Sequence, residues 1–263
     1  REVLKLKYID IVVTERCSLR CRDCANLMQY YTKPNNCDTE LLLGSVDKLM
    51  KCIDKLDEFR VLGGEPFMNN QLYKIINKLA TYKNADNVVI YTNGTIVPSG
   101  ENLSCLINKK VMLEITNYGN LSRSLDKMAK IFQENNINYI TDNAQAILWH
   151  DCATIKYQKR TVKEIVDMFL NCCVNDITSL LHGKLYRCPI SAHATNLQAI
   201  PFYKNDIVDL TDNITTKALK RKIISFYKGK RYLSACYYCR GRTNNSNLVK
   251  PAIQVKQPLL FNP

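Results

Sequence analysis

The sequence predicts an α/β protein built on a parallel sheet, and two observations lead to this. Up to residue 141, apolar strand-like runs alternate with stretches in which apolar residues recur at helical spacing. Polar, glycine-containing segments follow the predicted strands at their carboxyl ends, where α/β barrels place their functional residues. With 263 residues, 46% of them hydrophobic, the chain can form one large domain with a small appendage.

Each predicted element follows from local spacing. Strands are expected over residues 8–13, 59–62, 88–91, 111–115 and 138–141. Helices are expected over residues 42–56, 72–79, 103–107, 121–132 and 162–169. Residues 142–161 form the least regular stretch. A hairpin is then expected over residues 178–188, with His182-Gly183 at its turn.

Cys17, Cys21 and Cys24 form a compact group of thiols just after the first predicted strand. Structural zinc sites and simple electron-transfer clusters usually take four protein ligands. Three thiolates on a cubane iron–sulfur cluster would leave one iron open to an exogenous ligand. The Cys-x3-Cys-x2-Cys spacing therefore favours a reactive cluster, with a structural zinc loop as the alternative.

Three further segments follow strands in the same way. In Gly63-Gly64-Glu65-Pro66-Phe67, the glycines let the backbone approach a ligand, and the carboxylate can accept an ammonium group. Thr92-Asn93-Gly94 follows the third strand, and Asn117-Tyr118-Gly119 follows the fourth. Taken alone, the glycine pair and Asn93-Gly94 are typical of tight turns. Their order along the chain, after the cysteine loop and each at a strand end, is what indicates a functional site.

These motifs in this order resemble the radical S-adenosylmethionine (SAM) superfamily. The resemblance implies a partial (β/α)6 TIM-like barrel with a [4Fe-4S] cluster on Cys17, Cys21 and Cys24. It also implies SAM contacts, which would come from Gly63, Gly64, Glu65, Pro66, Thr92, Asn93, Asn117 and Tyr118. Asp23 departs from the pattern, because family members usually carry an aromatic residue just before the third cysteine.

A second group of cysteines lies in the last third of the chain, at Cys172, Cys173, Cys188, Cys236 and Cys239. Their pattern resembles the twitch extension, a shortened SPASM extension, of radical SAM enzymes. It implies an auxiliary [4Fe-4S] cluster on Cys188, Cys236, Cys239 and one of the adjacent pair. A four-cysteine zinc site is the alternative. The predicted domains are a barrel core, 1–160, and an auxiliary-cluster domain, 161–263.

The two cysteine groups together suggest an oxidation. A fully ligated auxiliary cluster suits electron transfer. If this cluster accepts an electron from the substrate, the net reaction is oxidation of an alcohol carbon to a ketone. Length and cysteine sets resemble the deoxy-scyllo-inosamine dehydrogenases, which implies a sugar or cyclitol substrate. His150 and Arg160 are candidates for the base. Cys152 is the candidate hydrogen donor for the first alternative, epimerisation, and peptide modification is the second.

The net charge of +13 is spread along the chain, which suits an anionic small substrate better than nucleic acid. A zinc-bound basic nucleic-acid module is the non-enzymatic alternative. Eight of the twelve cysteines cluster at ligand spacings, which favours a reducing cytoplasm over a disulfide framework. No apolar run reaches the ~20 residues of a membrane span. The expected protein partner is a reductant such as flavodoxin or ferredoxin.

Overall fold

The structure, a computed structural model, describes residues 2–229 and 231–261. Its contacts divide the chain into two compact units. The first comprises the chain up to Leu19 together with Pro34–Ile147, and the second comprises Arg20–Lys33 together with the chain from Leu148 onward. The predicted domain boundary after residue 160 stays a prediction.

Five parallel strands form the sheet of the first unit. They are β1 (Lys5–Val12), β2 (Lys55–Leu62), β3 (Ala85–Thr92), β4 (Val111–Asn117) and β5 (Tyr139–Asn143). Each strand pairs in parallel with the next one along the chain. The predicted fold class, α/β with a parallel sheet, is confirmed, and all five predicted strands are present.

Helices connect these strands. They are α1 (Thr39–Met50), α2 (Leu72–Leu79), α3 (Glu101–Ser104) and α4 (Leu125–Glu134). Asp38 caps α1 by accepting the N–H of Leu41 at 3.0 Å. One sheet face is apolar and buried, as Ile9, Phe59 and Ile90 show. Each side chain of this kind contributes about 1.5–3 kcal/mol by leaving water.

The predicted helix over residues 42–56 is too long, because α1 ends at Met50. The side-chain amide of Asn84 donates to the carbonyl oxygens of Met50 (3.1 Å) and Ile53 (2.8 Å), which satisfies this end of the helix. Leu56 belongs to β2, so its helical spacing from the preceding apolar residues is accidental. The helix predicted over 103–107 is observed as α3, which begins two residues earlier and ends at Ser104.

The second unit contains two sets of antiparallel strands. β6 (Trp149–His150) pairs with β10 (Leu248–Val249), while β7 (Thr178–Leu181), β8 (Lys184–Tyr186) and β9 (Ile207–Asp209) follow one another. The predicted hairpin is confirmed as β7–β8. His182 and Gly183 at its turn have φ angles of 48° and 77°, and two-residue hairpin turns require such positive values.

Three helices complete this unit: α5 (Val162–Leu170), α6 (Pro189–Asn196) and α7 (Thr216–Lys228). Thr161 and Glu164 form a capping box at the start of α5. Leu27 and Tyr30 pack into the apolar core of the unit, and the Tyr30 hydroxyl donates to Ala153 O at 2.9 Å. In the part of the chain that is described, helices long and apolar enough to span a bilayer are absent.

Candidate iron–sulfur and cofactor sites

The segments that follow β1 and β2 lie in direct backbone contact at Gly63 and Gly64. The N–H of Gly64 donates to Thr14 O at 2.9 Å, and the N–H of Glu65 donates to Arg16 O at 2.8 Å. A Cβ on Gly63 would overlap Thr14 O, and a Cβ on Gly64 would overlap Arg16 O. Only glycine allows this approach, which fixes the chain just before Cys17.

Glu65 links the second predicted cofactor segment to the third. Its fully buried carboxylate accepts the Thr92 hydroxyl (2.9 Å) and the N–H groups of Asn93 (2.9 Å) and Phe67 (3.2 Å). Burial raises the pKa of Glu65 to about 7, and these hydrogen bonds oppose the rise. The carboxylate therefore connects the end of β2 to the end of β3 by hydrogen bonds. The predicted contact of Glu65 with SAM stays a prediction.

Asn93 contacts the beginning of the cysteine loop. Its side-chain amide donates to Ser18 Oγ at 3.2 Å and to Cys17 Sγ at 3.7 Å. The hydroxyls of Ser18 and Thr95 lie 2.5 Å apart. The predicted Thr92-Asn93-Gly94 segment thus supplies a hydrogen-bond donor to Cys17 through Asn93. Thr95 was missed at the sequence level, although it directly follows that segment.

Ser122 connects the third and fourth segments. Its hydroxyl donates to Asn93 O at 2.7 Å and accepts the N–H of Tyr118 at 2.9 Å. The side chain of Asn117 accepts the N–H of Gly119 at 2.8 Å and so shapes the same turn. Residues after four consecutive strands therefore form one hydrogen-bonded edge of the first unit, where α/β folds place their active sites.

Cys21 and Cys24 belong to the second unit, where each thiol receives hydrogen-bond donors. The side-chain amide of Gln254 donates to Cys21 Sγ at 3.1 Å. Cys24 receives the backbone N–H groups of residues 26–28. Burial raises the pKa of Cys21 to about 12 and also raises that of Cys24. Donors around a buried sulfur stabilise its thiolate, so these thiols fit iron ligation. No sequence pattern pointed to Gln254.

Four cysteines of the second group line one cavity in the second unit. They are Cys172, Cys188, Cys236 and Cys239, and the cavity has an empty volume of about 430 Å³ including its mouth. Cys173 is exposed and does not line this cavity. The described residues contain no three His, Cys, Asp or Glu side chains that converge on a single metal ion. The four thiols are therefore spread around the wall of the cavity and do not meet at one point.

Backbone N–H groups point at these four thiols. Cys188 precedes α6 and receives the N–H groups of Ile190 and Ser191 at the start of that helix. The N–H of Gly241 donates to Cys239 Sγ at 3.2 Å. Burial raises the pKa values of Cys188 and Cys239 to about 12, so their ionisation requires a cationic partner. The donor set therefore fits a cluster with four thiolate ligands.

Two arginines accompany the cysteine-lined cavity. Arg160 donates through Nη1 to the carbonyl oxygens of Cys239 (2.6 Å) and Cys236 (3.1 Å). Arg242 lines the cavity, and its Nε atom is buried without a hydrogen-bond partner. Its backbone N–H donates to the Cys172 thiol. A partly buried arginine with an unbonded Nε atom beside four thiols suits a site that holds negative charge.

The candidate catalytic residues lie at different depths in the second unit. His150 lies on β6, and both burial and Arg242 lower its pKa, so the imidazole is neutral near pH 7. Its Nδ1 atom is buried without a hydrogen-bond partner. Cys152 is only 1% exposed and packs in the core, where its carbonyl lies 3.9 Å from Cys239 Sγ.

A carboxyl-rich face of the first unit's sheet was not expected from the sequence. Arg60 lies 3.2 Å from Asp10 and 5.1 Å from the centre of the Tyr91 ring. The Tyr91 hydroxyl donates to Glu58 at 2.9 Å. Burial raises the pKa values of Asp10 and Glu114 to about 7, and a hydrogen bond with Asp142 adds to the rise at Glu114. Asp10 and Glu114 thus interact with the Arg60 guanidinium, and Glu58 and Asp142 lie beside these two carboxyl groups.

Comparison with known proteins identifies the first part of the chain. Residues 9–137 match the family described as a 4Fe-4S single cluster domain. The matched segment contains Cys17, Cys21, Cys24 and the three glycine-containing segments. Residues 9–137 therefore resemble a 4Fe-4S cluster domain, in agreement with the cluster that the cysteine motif predicts.

Curated relatives of this chain include GTP 3',8-cyclases. The enzyme of Clostridium acetobutylicum is 28% identical over 173 residues, which cover 65% of this chain and 52% of that enzyme. The enzyme of Campylobacter jejuni is 32% identical over 95 residues, which cover 35% and 29% of the two chains. The chain therefore spans about half the length, or less, of these relatives.

Solved structures share the fold at low sequence identity. BtrN in an open conformation is 15% identical with a TM-score of 0.52, over 91% of this chain and 95% of BtrN. BtrN in complex with AdoMet and 2-DOIA has a TM-score of 0.50 at 13% identity, over 94% of this chain and 100% of BtrN. The protein anSMEcpe with bound AdoMet has a TM-score of 0.54 at 12% identity, over 94% and 93% of the two chains.

The backbone contact at Gly64 can be tested by adding one methyl group. We expect Gly64→Ala to lower the free energy of unfolding by about 1–3 kcal/mol, because the Cβ would meet backbone that is already hydrogen-bonded. Urea unfolding followed by circular dichroism measures this change.

Gly44→Ala is the matched control for this substitution. Gly44 is exposed within α1, and a Cβ there meets nothing within 4 Å. It should raise stability by about 0.5–1 kcal/mol, because alanine favours helix more than glycine does. Equal stability of the two variants would contradict the account of Gly64.

Proposed function

We propose that this protein is a radical SAM enzyme that oxidises a C–H/OH carbon of a sugar or cyclitol. Cys17, Cys21 and Cys24 would hold the SAM-binding [4Fe-4S] cluster, and Cys172, Cys188, Cys236 and Cys239 would hold an auxiliary [4Fe-4S] cluster. The observation that carries the proposal is the cavity lined by four thiols, which the family match over residues 9–137 does not include.

The strand-end residues of the first unit would bind SAM. When bound, the cluster and SAM supply a deoxyadenosyl radical that removes a hydrogen atom from a substrate carbon. The backbone at Gly63 and the partly exposed Gly64 would offer carbonyl groups to the methionyl ammonium group. Asn93 and Ser18 position the Cys17 thiolate, and the turn at Asn117 and Tyr118 would contact the nucleoside.

Oxidation of an alcohol carbon to a ketone also releases one proton and one electron. We assign proton acceptance to His150, because its imidazole is neutral and Nδ1 has no hydrogen-bond partner. Arg160 is a poorer base, because a guanidinium stays protonated and this one is bonded to two carbonyl oxygens. The arginines and N–H donors around the four thiols would favour acceptance of the electron.

The carboxyl-rich sheet face favours a particular kind of substrate. Carboxyl groups bind hydroxyl and ammonium groups, and they repel phosphates. This favours a neutral or amine-bearing polyol over the anionic substrate that the net charge suggested. The BtrN structure with AdoMet and 2-DOIA has the same fold, and its low identity leaves the substrate of this chain open.

A second candidate function is chemistry on a nucleotide. The specific observation in its favour is the 173-residue match to a GTP 3',8-cyclase. The four carboxyl groups on the sheet face count against a triphosphate there. GTP is therefore included as a substrate in the deoxyadenosine assay described next.

Deuterium placement distinguishes these functions. We expect anaerobically reconstituted enzyme with SAM and dithionite to transfer deuterium from the carbinol carbon of an aminocyclitol into deoxyadenosine. The product should lack two hydrogens, because a proton and an electron leave as well. Mass spectrometry of both products measures this.

Other outcomes would overturn the proposed oxidation. A product of unchanged mass that gains solvent deuterium in heavy water would indicate epimerisation. Substrate-dependent deoxyadenosine formed only with GTP would indicate the nucleotide reaction. Failure to form deoxyadenosine with any substrate, despite full iron loading, would reject the enzyme class.

The adjacent cysteines offer a matched pair of variants for the auxiliary site. Cys172→Ser should reduce the iron content from about eight to about four atoms per chain, because one cluster holds four irons. Cys173→Ser should leave it unchanged, since Cys173 is exposed outside the cavity lining. Iron analysis and Mössbauer spectra measure both. Equal iron loss in both variants would contradict the assignment of Cys172.

A further inference from the structure

Five tyrosines gather around the turn between two of the cavity cysteines. We call Tyr157, Tyr203, Tyr232, Tyr237 and Tyr238 the tyrosine patch. Tyr237 and Tyr238 lie in sequence between Cys236 and Cys239, which both line the cavity. Any group that covers these two tyrosines therefore lies one residue away from a thiol of the proposed auxiliary site.

Ring contacts connect the members of the patch. The rings of Tyr157 and Tyr237 are stacked, with centroids 6.0 Å apart and an interplanar angle of 12°. Tyr157 also meets Tyr238 edge-on at 5.5 Å, and Tyr232 meets Tyr237 edge-on at 6.3 Å. The hydroxyls of Tyr203 and Tyr238 lie 3.1 Å apart. These contacts hold the rings in a fixed arrangement.

The backbone also fixes the patch. The N–H of Gln158 donates to Tyr237 O at 2.6 Å, and the N–H of Lys156 donates to Tyr238 O at 3.1 Å. Residues 156–158 are thus tied to the turn that carries the cavity cysteines. Tyr157 nevertheless remains 51% exposed. An ordered, half-exposed group of aromatic rings is typical of an interaction surface.

Most charges that border the patch are positive, and the exposed Glu164 just beyond it is bonded to Thr161 in the capping box of α5. Lys156, Lys159 and Arg231 are exposed. The segments 152–163 and 231–240 contain no aspartate or glutamate. Asp206, which acts electrostatically on Tyr203, is 2% exposed and accepts the N–H of Ser234 at 2.6 Å. The surface therefore presents lysine and arginine around tyrosine, which complements an acidic partner.

We infer that the tyrosine patch and its bordering lysines are the docking surface for a small acidic one-electron carrier protein of the flavodoxin type. The carrier would take the electron that substrate oxidation leaves at the auxiliary site. In this step a cluster held by the four thiolates would give up one electron, and the oxidised flavin would gain that electron with one solvent proton. The inference rests on the proposed function, because it needs an electron at that site.

Electron-carrier encounters bury little area and depend on charge, so a small basic patch suffices. Such contacts weaken as ionic strength rises, because exposed charges are screened. A nucleic acid could also use lysines and tyrosines, by phosphate contact and base stacking. The position of the patch at the Cys236–Cys239 turn favours the electron carrier, and the test below includes the nucleic acid.

The test measures binding of an acidic, oxidised flavodoxin to the reconstituted enzyme by isothermal titration calorimetry. Lys156→Glu/Lys159→Glu should weaken binding by roughly tenfold or more at low salt, because two attractive charges become repulsive. Lys83→Glu/Lys127→Glu is the control, since it changes the net charge equally at exposed lysines of the first unit. This control should bind within about twofold of wild type.

A second variant keeps the test valid if the double substitution impairs folding. Tyr157→Ser removes the exposed stacked ring without changing charge, and it should weaken flavodoxin binding while the iron content stays at the wild-type level. Equal flavodoxin affinity in the wild type, the patch variants and the control would overturn the inference. Binding of a single-stranded oligonucleotide that the patch variants lose, with no flavodoxin binding, would overturn it as well.

A separate readout distinguishes failure of docking from failure of the proposed function. With dithionite as reductant, Lys156→Glu/Lys159→Glu should cleave SAM and oxidise substrate at the wild-type rate. A wild-type enzyme that does neither would refute the proposed function whatever the binding result. An enzyme that does both but fails to bind flavodoxin would refute the docking surface alone.

Discussion

The backbone of residues 14–16 lies so close to Gly63 and Gly64 that no side chain fits between them. Two backbone hydrogen bonds hold this contact, and Glu65 extends it to the end of β3 through Thr92 and Asn93. The first cysteine of the loop follows one residue later. The position of Cys17 within the first unit therefore depends on two residues having no side chain.

The two units differ in the charged groups that their candidate sites contain. The four thiols of the second unit are surrounded by backbone N–H donors and by Arg160 and Arg242, which suits a site that gains an electron. The sheet face of the first unit carries a group of carboxyls of which Asp10 and Glu114 interact with Arg60, which suits a polyol or an amine. The net charge of +13 indicated neither arrangement, because composition does not tell where charges lie.

The sequence predicted the parallel sheet and the strand-end segments well, because alternating apolar runs and glycine pairs are local signals. It could not separate Cys172 from Cys173, since adjacent residues share one spacing and only the chain path after α5 turns one thiol toward the cavity. Gln254 beside Cys21 and Arg242 beside the cavity come from distant parts of the chain. The helix over 42–56 was predicted too long because Asn84 ends α1 through a contact that no local pattern reveals.

The central claim is that Cys17, Cys21 and Cys24 leave one iron open for the methionyl group of SAM. Electron–nuclear double resonance of the reduced enzyme, with SAM labelled by nitrogen-15 in its amino group, tests this most directly. We predict a nitrogen hyperfine coupling that persists in Cys172→Ser and disappears in Cys17→Ala. A cluster without this coupling in the SAM-saturated wild type would contradict the claim.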